Sequence, residues 1–493
     1  MLEHAPALLV VLPLVAAPLI VLLRASAFGW LASTAVSYAC LVLAIGLATR
    51  VADTGAISYA IGSWAPPWGI EYRVDALSAF VLVAVALIGS LVAPYAQRSI
   101  AAEVPEDRRY LVYAMYCLCL AGLLGMTITG DAFNLFVFLE ISSLATYVLI
   151  GMGPHRKALV AAYQYMLMGT VGATFYVIGV GLLYLVTGTL NLPDMAERLG
   201  AVEDVRPVLA GLAFITVGIG LKLALFPLHA WLPNAYAFAP SMAAAFFAAT
   251  ATKVSVYVLL RYYFLVFDPA ALFERLPTRE LFIFLSVAAM IMASLVAVFE
   301  QDVKRLFAYS SIAQIGYITL GIGVDNLASL TGSIVHLLNH GVTKGAIFVL
   351  LGGIALRLSE KPLTLPAIAG LGQRMPLTAF GLVVSGLSLI GIPGTAGFIT
   401  KWYLVLGALE RGLWWLVAAI LASSLIAAVY VWRVVEAAYL RPPRDGAPAR
   451  EAPLGMLSAA LAMVALCVYF GFDTSFSIGG AQAAAELLLK GQQ

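Results

Sequence analysis

GLAFITVGIGLKLALFPLHAWLP, residues 211 to 233, decides how the rest of the chain is read. It has the length and apolarity of a membrane-spanning helix, yet it carries an ammonium group, Lys222, near its middle, and Pro227 shortly after. A lysine at mid-bilayer costs about 2.5 to 3.5 kcal/mol on insertion scales, so such a residue usually faces a bundle interior or water. Pro227 has no N–H and its ring collides with the carbonyl of Leu223, which predicts a break or kink close to the lysine. Freed backbone groups are tolerated at membrane depth only where protein or water satisfies them, so a broken helix bearing a lysine is a candidate ion site. The plainer alternative is a lysine near a helix end whose head snorkels to the headgroups.

The composition agrees with a membrane setting. The 493 residues are 62% hydrophobic and 11% charged, with a mean hydropathy of +0.97, whereas a soluble globular chain is about 25% charged. Apolar stretches long enough to cross a bilayer recur to the end, so the first is expected to be a membrane helix and not a cleaved signal. A net charge of +2 without a basic run argues against nucleic acid as a partner and against a polybasic lipid anchor. Cys40, Cys117, Cys119 and Cys467 all fall in apolar stretches and read as small hydrophobes, not as disulfides or metal ligands. There is no Walker loop, no GxGxxG after a strand, no CxxC pair and no GxSxG elbow, so no cofactor, metal or enzymatic activity is expected.

Segments of about 18 or more mostly apolar residues lie at 6–23, 27–49, 74–95, 109–129, 131–152, 158–187, 207–229, 241–266, 279–299, 304–323, 327–357, 376–407, 411–440 and 454–471. The expected fold is an all-α membrane protein of about 14 transmembrane helices. Residues 50–73, rich in Gly and Pro among alternating apolar residues, read as a short external hairpin or loop, and 189–206 as a surface helix. A second interruption, Gly391-Ile392-Pro393-Gly394, falls inside 376–407, with Lys401 two turns later. Interruptions five segments apart suggest two five-helix repeats, helices 4–8 over 109–266 and helices 9–13 over 279–440. Helices 1–3 and the hairpin occupy 1–108, and the last helix with a tail occupies 454–493. An odd number of helices per unit makes the repeats inverted, an arrangement that sets ion sites near mid-depth.

Fifteen of the 28 basic residues, Lys361 and Arg444 among them, fall in loops on one side, and nine, including Arg261 and Arg275, on the other. The positive-inside rule then puts both termini outside. The remaining four, Lys222, Lys253, Lys344 and Lys401, lie within the segments.

These lysines have candidate partners. Glu140 is well inside its own segment, where a carboxylate needs a cation or a proton, and Lys222 is the natural cation. A static pair that only fixes packing is the alternative. Lys253 sits about three turns into its segment. His336, His340 and Lys344 are spaced i, i+4, i+8 and share one helical face, which suits a proton relay because imidazole exchanges protons near neutral pH. Two histidines at i, i+4 also suit zinc, but the HExxH glutamate is absent and the next stripe position is a lysine. Lys401, nearer a segment end than Lys222, follows the second break as an exit or gate.

The chain resembles the antiporter-like membrane subunits shared by Mrp-type cation/proton antiporters, respiratory complex I and membrane-bound hydrogenases. The matching stretches are YRVDALSAF (72–80), the helix around Glu140, LKLALFPLHAWLPNAY (221–236), DVKRLFAYSSIAQIGY (302–317), HLLNHGVTKGAIFVLLG (336–352) and GIPGTAGFITKW (391–402). The resemblance implies fourteen helices with two inverted repeats and a lateral path through Glu140, Lys222, Lys253, the His336 to Lys344 stripe and Lys401. Asp302, Lys304 and Arg305 match the family motif but stand at a helix start and read as a capping cluster. Size and the GIPGTAGFITKWYL wording are most similar to the D-type member of the Mrp antiporters, and an end about twenty residues past the last helix implies no long lateral helix. The implied role is a proton-translocating subunit of a multisubunit Na+/H+ antiporter in the plasma membrane, working beside other membrane subunits. The alternative is a proton-pumping subunit of a redox complex.

Overall fold

The computed structural model describes residues 2–267, 276–358, 363–443 and 450–490. Arg275, Lys361 and Arg444, which belong to the loop charges, lie outside the described residues.

The elements in order are α1 (Ala5–Leu23), α2 (Ser26–Thr54), strands β1 (Ile57–Ala60) and β2 (Glu71–Val74), α3 (Ala76–Glu103), α4 (Arg109–Ile128), α5 (Ala132–Gly151), α6 (Lys157–Thr187), α7 (Leu192–Leu199), α8 (Val205–Leu223), α9 (Leu232–Phe238) and α10 (Ser241–Arg261). They continue with α11 (Thr278–Phe299), α12 (Val303–Val324), α13 (Leu327–Leu358), α14 (Leu371–Arg374), α15 (Pro376–Ile390), α16 (Ala396–Glu410), α17 (Trp414–Val435), α18 (Leu454–Phe472) and α19 (Ser475–Lys490). Thirteen helices among the described residues are each long and apolar enough to cross a membrane. The segment expected over 376–407 is α15 plus α16, 15 residues each, about 22 Å and so too short to cross alone. The protein is an all-α membrane protein with one small hairpin, in which Ile57 pairs with Val74 and Ala60 with Glu71.

Burial ranks the helices. The apolar windows of α10 and α12 are 94% buried inside the bundle, against 28% for α2. Helices apolar on every side belong at the centre, where α10, α12 and α13 pack on one another. Glycine lets neighbours approach. A Cβ on Gly218 of α8 would stand 2.5 Å from the carbonyl oxygen of Gly172 on α6, so these two backbones touch directly.

Two helix starts are built alike. Asp131 caps α5 by accepting from Asn134 N–H, and Asp302 caps α12 by accepting from Arg305 N–H. Beside the first, Ala132 N–H donates to Leu190 O and Leu192 N–H to Gly130 O; beside the second, Val303 N–H donates to Leu363 O and Leu365 N–H to Gln301 O.

The chain after 472 departs from expectation. The segment expected to be a tail is α19, which packs on α13 and α3. Its buried Ser477, Ala481, Ala484, Ala485 and Leu488 recur at helical spacing, and Phe476 stacks on Phe80 at 6.3 Å. At 16 residues it is too short to register as a span.

Candidate functional site

Helix α8 ends at Leu223, and Ala224 turns left-handed at φ 60°, so the chain leaves the helix before Pro227. Lys222 is thus in the last turn of its helix and not at its middle, and it is closer to an end than Lys401. It does not snorkel. Its side chain is buried and its Nζ lies 3.5 Å from Glu140 Oε1, donating to Ser143 Oγ at 2.6 Å and Tyr147 Oη at 3.2 Å. Glu140 Oε1 has no closer partner than this ammonium, so Lys222 is its counter-charge. The break is braced by Trp231, whose indole N–H donates to Leu221 O at 2.9 Å while its ring stacks on Tyr165 at 3.8 Å.

The stripe on α13 is wholly buried. His336 is held at both nitrogens, by Gln314 Oε1 at 2.9 Å and Thr400 Oγ1 at 3.0 Å. The His340 ring stacks on it at 5.2 Å, yet neither His340 nitrogen has a hydrogen-bond partner. A buried imidazole without a protein partner suits ordered water. Lys344 donates to Phe307 O at 2.7 Å and to Ser310 Oγ, both on α12. Lys253, on α10, donates to Ala248 O at 2.5 Å.

At the second interruption Gly391 (φ 85°) and Gly394 (φ 83°) flank Ile392 and Pro393. The left-handed backbone favours glycine at 391, and a Cβ there would also stand 2.7 Å from Lys401 Cδ. Lys401 is buried and donates back across the break to Leu389 O (3.2 Å), Ile390 O (2.7 Å) and Ser424 Oγ (2.8 Å), with its Nζ 4.6 Å from the centre of the Tyr317 ring. Gln314 Nε2 donates to the same Leu389 carbonyl, so Lys401, Gln314, His336 and His340 form one connected run.

Lys222 and Glu140 stand apart from this run, with no direct hydrogen bond to Lys253 among the described residues. A cavity of about 20 Å³ lies beside Lys222, lined by Ser142, Thr146 and Tyr165 and by Ser255 of α10, which is room for one water. The polar residues Ser143, Tyr147, Ser310, Gln314, Thr400 and Ser424 do not stand out in the sequence. Neither does the pair formed by Asp75 and Arg261. Arg261, expected in a loop, is buried and bonds Asp75 through both terminal nitrogens, at 2.5 and 2.8 Å, because α10 runs on into a further turn at Tyr262–Val266.

Comparison with known proteins fits this arrangement. The family model described as NADH:quinone oxidoreductase/Mrp antiporter, transmembrane, matches residues 129–427. The chain is 42% identical to the N subunit of an NADH-quinone oxidoreductase from Desulforudis audaxviator, covering 92% of this chain and 91% of that one. It is 30% identical to the D-type member of an Na(+)/H(+) antiporter from Bacillus subtilis, covering 93% and 91%. A chain of the Mrp complex from Dietzia sp. superposes with a TM-score of 0.90 at 25% identity, over 99% of this chain and 97% of that one.

Proposed function

The chain belongs to the NADH:quinone oxidoreductase/Mrp antiporter transmembrane family, and on that footing we propose that protons cross it by way of the groups Glu140, Lys222, Lys253, His336, His340, Lys344 and Lys401. The observation that carries this reading is that Lys222, Lys253, Lys344 and Lys401 are all buried and each donates to a protein oxygen. Opening the Glu140–Lys222 pair strips the lysine of its counter-charge and drives its proton onward, and closing it draws one in. The matching junctions at Asp131 and Asp302 support two inverted repeats around the two breaks. Both termini are assigned outside by the loop charges.

The host is a multisubunit membrane complex. Similarity to the D-type member of an Na(+)/H(+) antiporter supports proton exchange against sodium. The higher identity to a quinone oxidoreductase component favours the second reading, a pump driven by electron transfer in other subunits. Proton flux in vesicles holding the assembled complex tests the core claim. Lys222→Ala and Glu140→Ala are expected to abolish it, and normal flux in either rejects the scheme. Mass analysis of the purified complex separates the two hosts, since small cation-antiporter subunits mark one and iron–sulfur subunits the other.

A further inference from the structure

Where α10 and α12 begin, a cavity of about 330 Å³ is lined by the charged or titratable side chains Glu103, His155, Lys157, Asp302, Lys304 and Arg305. Glu103, the last residue of α3, does something particular there. Helix α10 starts after Pro240, which offers no side-chain cap, and Glu103 supplies one from another helix. It accepts from Ser241 N–H at 2.6 Å and from the Ser241 hydroxyl at 2.8 Å. That hydroxyl in turn accepts from Lys304 Nζ at 3.2 Å.

The polar line continues inward. The Tyr95 and Ser99 hydroxyls, 0% and 2% exposed, have no hydrogen-bond partner. The Tyr95 hydroxyl and the Ser241 side chain both occupy the space that a Cβ on Gly352 of α13 would need. Gly352 is on the same helix as Lys344, eight residues beyond it, or about 12 Å along the axis. On α12, Ser310, which bonds Lys344, is six residues past Lys304, or about 9 Å. Two helices thus lead from this cavity to the same lysine.

We propose that the cavity is the loading mouth of the path, with Glu103 as its proton-collecting group and Lys344 as the first buried acceptor. Glu103 takes a proton from water in the cavity. The Ser241 hydroxyl accepts that proton and releases its own toward Tyr95, so no net charge is left on either hydroxyl, and water carries it along α13 to Lys344. The mouth depends on the proton-path reading of the preceding section, and its test keeps the two separable.

In the assembled complex in vesicles, Glu103→Gln keeps an acceptor for Ser241 N–H but carries no proton. Flux driven by a pH gradient is expected to fall roughly tenfold or more, with thermal stability unchanged, while Glu103→Asp restores it. Full flux in Glu103→Gln together with instability of Glu103→Ala would reduce Glu103 to a helix cap and overturn the mouth. Lys222→Ala serves as the second arm. Its loss with full flux in Glu103→Gln overturns the mouth alone; full flux in Lys222→Ala with loss in Glu103→Gln overturns the path beyond it. Where Glu103→Gln does not assemble, Tyr95→Phe removes one hydroxyl only, and unreduced flux in it also overturns the mouth.

Discussion

The ammonium nitrogen of Lys401 lies 2.7 Å from the carbonyl oxygen of Ile390, the final residue of the half-helix that precedes its own. The last carbonyls of a helix have no intrahelical donor and form its negative pole. Lys401 supplies both a donor and a positive charge, from the far side of the break. One side chain therefore holds the interruption closed and places a proton beside it.

Lys401→Met leaves the part-buried Ile390 carbonyl without a donor, while Leu389 O keeps Gln314, a cost of about 1–3 kcal/mol for the unsatisfied group. Both proton flux and the thermal midpoint of the purified complex are expected to fall. An unchanged midpoint would show that the half-helix ends are satisfied without the lysine.

At the first break, removing either member of the Glu140–Lys222 pair leaves an uncompensated charge beside or within the bundle. A single removal from a buried pair costs about 3–5 kcal/mol, and the partial exposure of Glu140, 23%, puts this pair toward the lower end. The double variant Glu140→Gln/Lys222→Met is expected to regain stability over either single change while still failing to transport. A thermal double-mutant cycle reads the coupling directly, and strict additivity would mean that the two charges do not interact.

Gly218→Val adds no charge and removes none. Its side chain would collide with Gly172 O and with the Tyr176 backbone, displacing α8 one turn before Lys222. Transport is expected to drop sharply in an assembled complex, and Gly218→Ala to show a milder form. Normal flux in the valine variant would show that the position of Lys222 is not set by α6.

Asp75 precedes α3, and its carboxyl behaves differently from a surface one. Burial pushes its pKa up, but the charge and hydrogen bonds of Arg261, with those of Ser78, outweigh this and hold it below the ordinary value. A carboxylate with a depressed folded pKa contributes stability that is present above the unfolded value of about 3.9 and is lost as pH falls through the folded one. Asp75→Asn is therefore expected to be less stable than the native chain at neutral pH, with the gap closing under acid. A gap that persists unchanged at pH 3 would assign the loss to packing.

Much of this site is legible from residue type alone. Lysine, glutamate and paired histidines in apolar segments stand out because the membrane makes them costly, and proline and glycine mark both breaks. The hydroxyls are silent. Ser143 bonds Leu139 O as Thr127 bonds Leu123 O, the same local habit of a hydroxyl in a helix, yet only Ser143 also receives a lysine. Nothing in the sequence separates them. Arg261 and Asp75 are 186 positions apart, and only the packing of α10 against the start of α3 joins them. Helix α19 escapes a search for spans because, at 16 residues, it is shorter than the roughly 18 apolar residues a membrane crossing needs.

The three oxygens around Lys401 differ in one respect. An ammonium has three N–H groups and can serve Leu389 O, Ile390 O and Ser424 Oγ together, whereas a neutral amine has two and gains a lone pair. Carbonyls only accept, but a hydroxyl can swivel. Discharging this lysine therefore means turning Ser424, whose hydrogen now points to Ile420 O, around to face the nitrogen. A single rotating O–H thus becomes the hinge on which the neutral state rests, and alanine at 424 would leave the amine without that counterpart.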